Sequence, residues 1–418
     1  MATTRSFSAM LNEYLPNQLL QAEFKERSWI TKNVEMDDSW LGGSLIVPYE
    51  AANASSISFG SLTDSTDIAQ DSLIRGSIDT QPEVWGSMIF NDRDIMEHGK
   101  LSEQNFLKIL PGRVDRFLDY MKGVVGHCLL NGPAICKLTG DGDASGNITV
   151  DRPERFVLGQ KVYVDDDNNT ATAGYVRAIN METGVVNLYD ARSGGSAVNL
   201  SSYTVSQNAK VYFDGSQSQP LTNLRESLLS AANGGSSTLY GDTKTSAPFL
   251  QAINVSGADV TSVNFLQKLF DGFITVKVRG KGMPNKAVMS YRNLGWAMSI
   301  LESGKGAYHQ DQTGTKVSVY GWTEIEVFGP KGKLTLVGVE EMDDDVVFYL
   351  DTRPSVMKIY SNGGFKKRKD PDTGKEFFAV RATTGYSYIV DSCFFGDFVL
   401  LMPSYCGILH SIPATVAE

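Results

Sequence analysis

The spacing of apolar residues changes several times along the chain, and each change marks a different kind of element. Between residues 101 and 131, Leu110, Val114, Phe117, Leu118, Met121, Val125 and Leu129 recur at three- and four-residue steps. Arg113, Asp115, Arg116, Asp119 and Lys122 are expected on other faces, so the pattern predicts an amphipathic helix. Pro111 fits its first turn, and Asn131-Gly132-Pro133 stops it. From Pro111 to Leu130 the rise is about 30 Å, enough for a spine on which other elements pack. Residues 152–214 then switch to period two: "RFVLGQKVYVDDD", "TATAGYVRAINMETGVVNLYDA" and "NAKVYFDGS" read as short strands with Gly and Asn/Asp turns, including a "METGVV" hairpin. They predict a small all-β barrel or sandwich inserted into a longer fold, able to fold alone and to expose the loops "DDDNNTATA" and "DARSGGSAV".

On either side the pattern is more mixed. Residues 1–44 carry a partly helical apolar spacing broken by Pro16 and read as an N-terminal arm with little core of its own. Residues 45–95 hold two strand patterns, "SLIVPYE" and "EVWGSMIF", around about 30 Ser/Thr/Asp-rich residues, far longer than ordinary connections. This predicts either disorder or a long hairpin lying on another molecule, because an isolated two-stranded ribbon is marginal in water. Residues 96–151 contain the spine helix, and 215–250 read as a Gly/Ser/Thr connector. Residues 251–345 return to α/β, with helical "VTSVNFLQKLFDGFITVKVRG", strand "NKAVMSY" and helical "RNLGWAMSILES", and 346–418 are mostly strand.

Composition narrows the chemistry. With 418 residues, 42% hydrophobic and 21% charged, the chain has ordinary globular proportions and room for two or three folded units. A net charge of −10 and a pI near 5.1 set its overall field against nucleic acid and anionic membranes, which excludes a basic DNA-reading domain. No apolar run approaches the ~18 residues of a membrane span, and the first residues lack the pattern of a signal peptide. Cys128, Cys136, Cys393 and Cys406 are too scattered for a disulfide framework or a CxxC site and fit small buried hydrophobes in a reducing compartment.

The search for catalytic motifs finds none. "GPKGKLTL" and "DPDTGKEF" both fail Walker-A spacing, and GxGxxG and GxSxG are absent. His98, His127, His309 and His410 form no ligand pair and read as structural. The acidic runs Asp165–Asp167 and Asp343–Asp345 read as solvated turns. "DGDASGNITVDR", residues 141–152, places Asp141, Asp143, Ser145 and Asp151 at spacings that suggest an ion loop. Its twelfth position is Arg152 rather than the bidentate Glu such a loop needs, so it reads as a polar crossing between helix and barrel, with those four residues as the only metal candidates. No cofactor is expected.

Taken in order, the arm, the long two-stranded loop, the spine helix, the mixed α/β region and the return through long strands resemble the major capsid proteins of tailed bacteriophages, the HK97-like fold. "LGGSLIVPYE" resembles the start of that family's extended loop, "LRESLLSAANGGSSTLYGDTK" the crossing before its axial domain, and "NKAVMSYRNLGWAMSILESG" the strand-then-helix of that domain. The resemblance implies an α+β fold with peripheral and axial domains, here carrying an inserted all-β domain. It implies a non-enzymatic subunit, made in the host cytoplasm, that assembles as hexameric and pentameric capsomers into an icosahedral shell around double-stranded DNA held without sequence specificity. Portal and scaffolding proteins, and a decoration protein on the outside, are the partners it implies; no membrane is involved. An encapsulin-like compartment shell is the alternative within the fold, and a carbohydrate-binding or enzymatic protein with a β module is the alternative outside it.

Within that frame two oppositely charged segments are candidate intersubunit contacts. The 45–90 ribbon carries Glu50, Asp64, Asp67, Asp71, Asp79 and Glu83 against a single Arg75, whereas Lys366, Lys367, Arg368 and Lys369 precede a Pro-Asp turn. Some members of the family join their shells through a lysine in the extended loop. No lysine lies between Lys32 and Lys100, so no such bond is expected.

Overall fold

The structure is a computed structural model, and the residues it describes are 28–40, 43–52, 72–79, 81–91, 103–166, 171–217, 221–245, 248–280, 282–303, 324–329, 332–369, 376–377, 379–381 and 387–413. Two compact units divide the chain: residues 131–221 form one, and the segments on either side, up to Leu130 and from Thr222 onward, together form the other.

The larger unit opens with a short helix α1 (Trp29–Asn33) and strand β1 (Glu35–Asp37), which pairs in parallel with a later strand. Ile30, Val34 and Trp40 are buried, so this end of the expected arm belongs to the core. Strands β2 (Leu45–Ala52) and β3 (Ser72–Ile78) pair antiparallel as a ribbon of their own. Strand β4 (Glu83–Asn91) does not join them. The partner of "SLIVPYE" is "SLIRGSI", whose apolar residues are masked in the sequence by polar neighbours.

Helix α2 (Glu103–Asn131) runs 29 residues, about 43 Å, and starts eight residues before Pro111, which therefore lies inside it rather than in its first turn. Leu118, Val125 and Leu129 are fully buried along one stripe. Lys122 falls at i+4 from Leu118 and i−3 from Val125, on that same stripe, and is 1% exposed; the expectation of a solvent face for it is corrected. The helix packs close to β4: a Cβ at Gly86 would overlap the Met121 thioether.

Residues 131–221 contain β5 (Ala134–Gly140), β6 (Asn147–Val150), β7 (Lys161–Asp165), β8 (Thr172–Asn180), β9 (Val185–Tyr189) and β10 (Lys210–Phe213), closed into a six-stranded antiparallel barrel in the order β10-β5-β6-β9-β8-β7. Ile135, Leu138, Ile148, Val162, Val164, Val176, Val186, Leu188 and Val211 fill it, alternating with period two on β6, β7 and β9, whereas β5 breaks the alternation at its register shifts. The unit is wider than the expected 152–214, because "AICKLTG" and "NITV" are barrel strands and the 141–152 loop lies within the barrel rather than before it.

After the barrel come α3 (Leu224–Leu228) and a two-stranded turn of β11 (Thr238–Leu239) and β12 (Asp242–Thr243), within the stretch 215–250 expected as a Gly/Ser/Thr connector. The α/β part holds β13 (Ile253–Ser256), α4 (Phe265–Arg279), β14 (Lys286–Met289), α5 (Tyr291–Ser303), β15 (Glu324–Gly329), β16 (Gly332–Gly338), β17 (Val347–Leu350) and, from the end of the chain, β22 (Gly407–His410). Its sheet order is β13-β22-β17-β14-β16-β15. Phe265, Leu269, Phe273 and Val276 of α4 and Leu294 and Ala297 of α5 cover it. The Tyr349 hydroxyl reaches through the core to the Leu269 carbonyl at 2.8 Å, past Gly272, where a Cβ would collide with it.

The remaining strands build the second large sheet. Strand β18 (Met357–Lys369) pairs with β21 (Ser387–Leu400), which also pairs with β20 (Ala379–Arg381) and with β4, while β19 (Glu376–Phe377) pairs antiparallel with the end of β18. The expected return through 346–418 thus divides between two sheets: β17 and β22 are bound into the α/β part, and only β18–β21 form the long return.

Candidate functional site

The β2–β3 ribbon is anchored at its base. Val47 is buried against Leu239, Tyr240, Leu250 and Val399, and the Ser77 amide donates to the Tyr240 carbonyl at 3.2 Å. Its neighbour Ile46, which the pleat turns the other way, is 58% exposed. Arg75 is exposed; Asp79 accepts a hydrogen bond from the Ser77 hydroxyl, and Glu83 accepts one from the Trp85 indole N–H. Glu50 lies on β2, whereas Asp64, Asp67 and Asp71 lie outside the described residues. Lys366, Lys367, Arg368 and Lys369 form the end of β18, paired through the backbone with Cys393 and Ser392 of β21 and then with Phe377 and Glu376 of β19. The basic segment is therefore the last stretch of β18, where its partner passes from β21 to β19. Acidic ribbon and basic hairpin belong to different sheets.

The 141–152 stretch holds the turn between β5 and β6, β6 itself and the two residues after it, and its carboxylates serve separate tasks. Asp143 accepts from the Ser145 and Asn147 amides and from the Asn147 side chain, at 2.8 to 2.9 Å. The Asn147 contacts hold its carboxyl below the usual range. Asp141 accepts from the Val205 amide and Asp151 from the Lys137 amide. The loop is shaped by backbone hydrogen bonds, with Gly146 at φ 77°, and the structure does not bring its four oxygen-bearing residues to one point. Among the described residues no group of three or more His, Cys, Asp or Glu side chains is placed to hold a metal ion.

The run Asp343–Asp345, expected to be a solvated turn, is instead half-buried and paired. Arg225 of α3 donates to both oxygens of Asp345 at 3.0 and 2.6 Å and to Asp343 at 3.1 Å. Burial works against its charge, but Asp345 and Asp343 more than offset it and raise its pKa further. Arg292 and Asn293 of α5 both donate to the Asp344 carbonyl. No signal in the sequence tells this acidic run from a surface one, because its partners lie about 50 and 120 residues away. Lys244 closes the other side of α3, donating to the Glu226 and Leu229 carbonyls at 2.6 and 2.8 Å, and burial pushes its pKa down to about 8. The short helix that follows the barrel is thus fixed by buried charges on two sides.

His127 sits in α2 with Nδ1 3.0 Å from the Glu341 carbonyl, and His410 is held below its usual pKa by burial and by the nearby Arg225. His98 and His309 lie outside the described residues. All four cysteines are buried. Among the described residues no helix is long and apolar enough to cross a membrane. The described residues present no catalytic constellation; they present extended, charged strands carried on two sheets and a barrel.

No family model and no curated protein matches the sequence. Solved structures do match. The capsid subunit of cyanophage A-1(L) aligns over 94% of this chain and 93% of its own, at 10% identity and a TM-score of 0.50. The chain has the fold of a phage capsid subunit. A native GTA particle capsid covers 92% of this chain and 90% of its own (9% identity, TM-score 0.43). The SrpI encapsulin of Synechococcus elongatus covers 93% and 89% (6% identity, TM-score 0.39). The mixed helix-and-sheet architecture, with the ribbon, the long helix and the two sheets described above, fits this α+β capsid fold.

Proposed function

We propose that this chain is a major capsid protein of the HK97-like type, whose copies assemble through hexameric and pentameric capsomers into an icosahedral shell around a double-stranded DNA genome. The observation that carries the proposal is the alignment of 94% of the chain with a cyanophage capsid subunit, end to end rather than over one domain. A ribbon anchored through Val47 and bearing an exposed Ile46 is what a shell subunit needs and a monomer would avoid. In this reading portal, scaffolding and decoration proteins are partners, and the acidic shell tolerates DNA that brings its own counterions. Negative-stain microscopy of the expressed protein, with nuclease-protected DNA measured in native particles, tests it. Closed shells or capsomer rings and protected DNA are expected. Monodisperse monomers overturn the shell; shells that carry protein cargo and no DNA favour the encapsulin-like alternative.

The intersubunit contacts proposed within this reading are the acidic ribbon, Glu50, Asp64, Asp67, Asp71, Asp79 and Glu83 around Arg75, against the basic hairpin, Lys366, Lys367, Arg368 and Lys369, of a neighbour. Four adjacent cations repel one another unless carboxylates stand among them. Replacing the four with Gln is expected to leave folding intact and make assembly weaker and less salt-sensitive. Wild-type yield and salt response would reduce the cluster to a solvated hairpin end.

A further inference from the structure

The barrel carries a band of tyrosines and cations on its outer wall. Because Val162, Val164, Val176, Val186 and Leu188 point inward, Lys161, Tyr163, Tyr175, Arg177 and Tyr189 point outward. The strand register places Lys161 opposite Tyr175, and Tyr175 opposite Tyr189, so the band crosses β7, β8 and β9 without a gap. The Lys161 ammonium lies 5.0 Å from the Tyr163 ring centroid and the Arg177 guanidinium 5.1 Å from that of Tyr189, which holds both cations flat on the wall. Arg177 donates to the Arg192 carbonyl at 3.1 Å, and the Arg192 side chain lies over Gly159. Beside Gly159, Leu158 is 63% exposed.

Tyrosine and arginine around an exposed aliphatic side chain is the composition of a protein-interface centre. The band is cationic in a chain of net charge −10. The carboxylates beside it are committed: Asp214 to Lys161 at 3.3 Å and Asp190 to the Ser196 amide at 2.8 Å. Charge complementarity therefore asks for an acidic protein surface, and this chain of net charge −10 has exposed carboxylates to offer, Glu182 on the β8–β9 turn among them. Two such bands could not face each other directly, since like charges would meet, so the contact joins the band to an unlike surface.

We propose that the Lys161–Arg177–Arg192 band, with Leu158 as its apolar anchor, docks on an exposed carboxylate-bearing surface of a second copy of this chain. The proposal rests on the shell reading for the crowding that brings copies together, and its test separates the two. A photo-crosslinking amino acid, p-benzoylphenylalanine, replaces Leu158 in the full-length chain, and the protein is irradiated after assembly and again as unassembled material at high concentration. A crosslinked dimer at about twice the 45.7 kDa subunit mass, with the captured peptide from another copy, is expected. Its yield should fall about tenfold in Arg177→Glu/Arg192→Glu and persist in Arg177→Lys/Arg192→Lys, as for a charge-steered contact. Intact shells with no crosslinked dimer, or a crosslink to a different protein or to a polysaccharide, overturn the docking proposal and leave the shell standing. Crosslinked dimers in protein that never forms shells support the docking and overturn the shell.

Discussion

At Asp397, on β21, burial and hydrogen bonding oppose each other. The side chain is 1% exposed, yet its oxygens accept the Thr222 amide at 2.7 Å, the Thr222 hydroxyl at 2.6 Å and its own neighbour's amide, Phe398, at 2.9 Å. Thr222 is the first residue of the larger unit after the barrel, so this carboxyl ties down the point where the chain returns. Burial is the larger influence and pushes its pKa up to about 7, against the pull of the Thr222 and Phe398 donors. An unfolded aspartate titrates near ~3.9, so between the two values the native state keeps a proton that the unfolded chain has released. The stability this contributes is fully present below about pH 4, is lost as the pH rises, and is gone above about 7. A gap of roughly three units is worth about 4 kcal/mol.

The substitution Asp397→Asn removes the titration while keeping the shape. A carboxamide oxygen can accept both amides and its NH2 can donate to the Thr222 hydroxyl. Urea unfolding of unassembled subunits, wild type beside variant at pH 5, 6.5 and 8, cancels the contribution of every other carboxylate in the difference. The variant is expected to be close to wild type at pH 5 and more stable by about 2–4 kcal/mol at pH 8, in line with the cost of an ionised carboxylate kept in the core. If the variant is less stable at pH 8 and the two curves run parallel, the three donors outweigh burial, the carboxylate is ionised throughout, and the reasoning fails.

Arg225→Met leaves Asp343 and Asp345 without their shared guanidinium and is expected to cost about 3–5 kcal/mol in thermal or urea unfolding; a loss under about 1 kcal/mol would mean water already screens the pair. Gly86→Leu forces a side chain into the space of the Met121 thioether and is expected to destabilise by about 1–3 kcal/mol, with a melting temperature equal to wild type as the contrary result. Deleting residues 54–70 spares the β2–β3 pairing and the Ser77–Tyr240 bond, so a folded subunit with an unchanged far-ultraviolet spectrum is expected, but one that no longer forms stable shells; normal assembly would show that the loop is not an intersubunit arm.

What the sequence reveals of this molecule is whatever depends on neighbours within one element. The stripe of Leu118, Val125 and Leu129 marks the long helix, and the alternation through 161–165 and 185–189 marks the barrel, because each pattern is complete in a few turns or residues. Lys122 shows the limit. Its position on the stripe is plain from spacing alone, and only the habit of placing lysine in water hides it, although a long stem can be buried when its ammonium finds acceptors. The charged groups that fix the structure elsewhere depend on partners far along the chain. Arg225 is 118 and 120 residues from its carboxylates, and Thr222 is 175 from Asp397. Such pairs leave no periodic trace, so an acidic run that clamps a helix reads the same as one that faces solvent. The same holds for strand pairing: the β2–β3 ribbon is seated by the Val47 anchor on Leu239, Tyr240 and Val399, residues that lie on the far side of the barrel in sequence. The surfaces proposed to join copies are harder still to read, since the partner is another molecule. There the useful signal is a mismatch inside one chain: a cationic, tyrosine-rich wall on an acidic protein, or an exposed Ile46 beside a buried Val47. Each is a cost to a solitary subunit and an asset to one with neighbours, and that difference is what the crosslinking and deletion experiments measure.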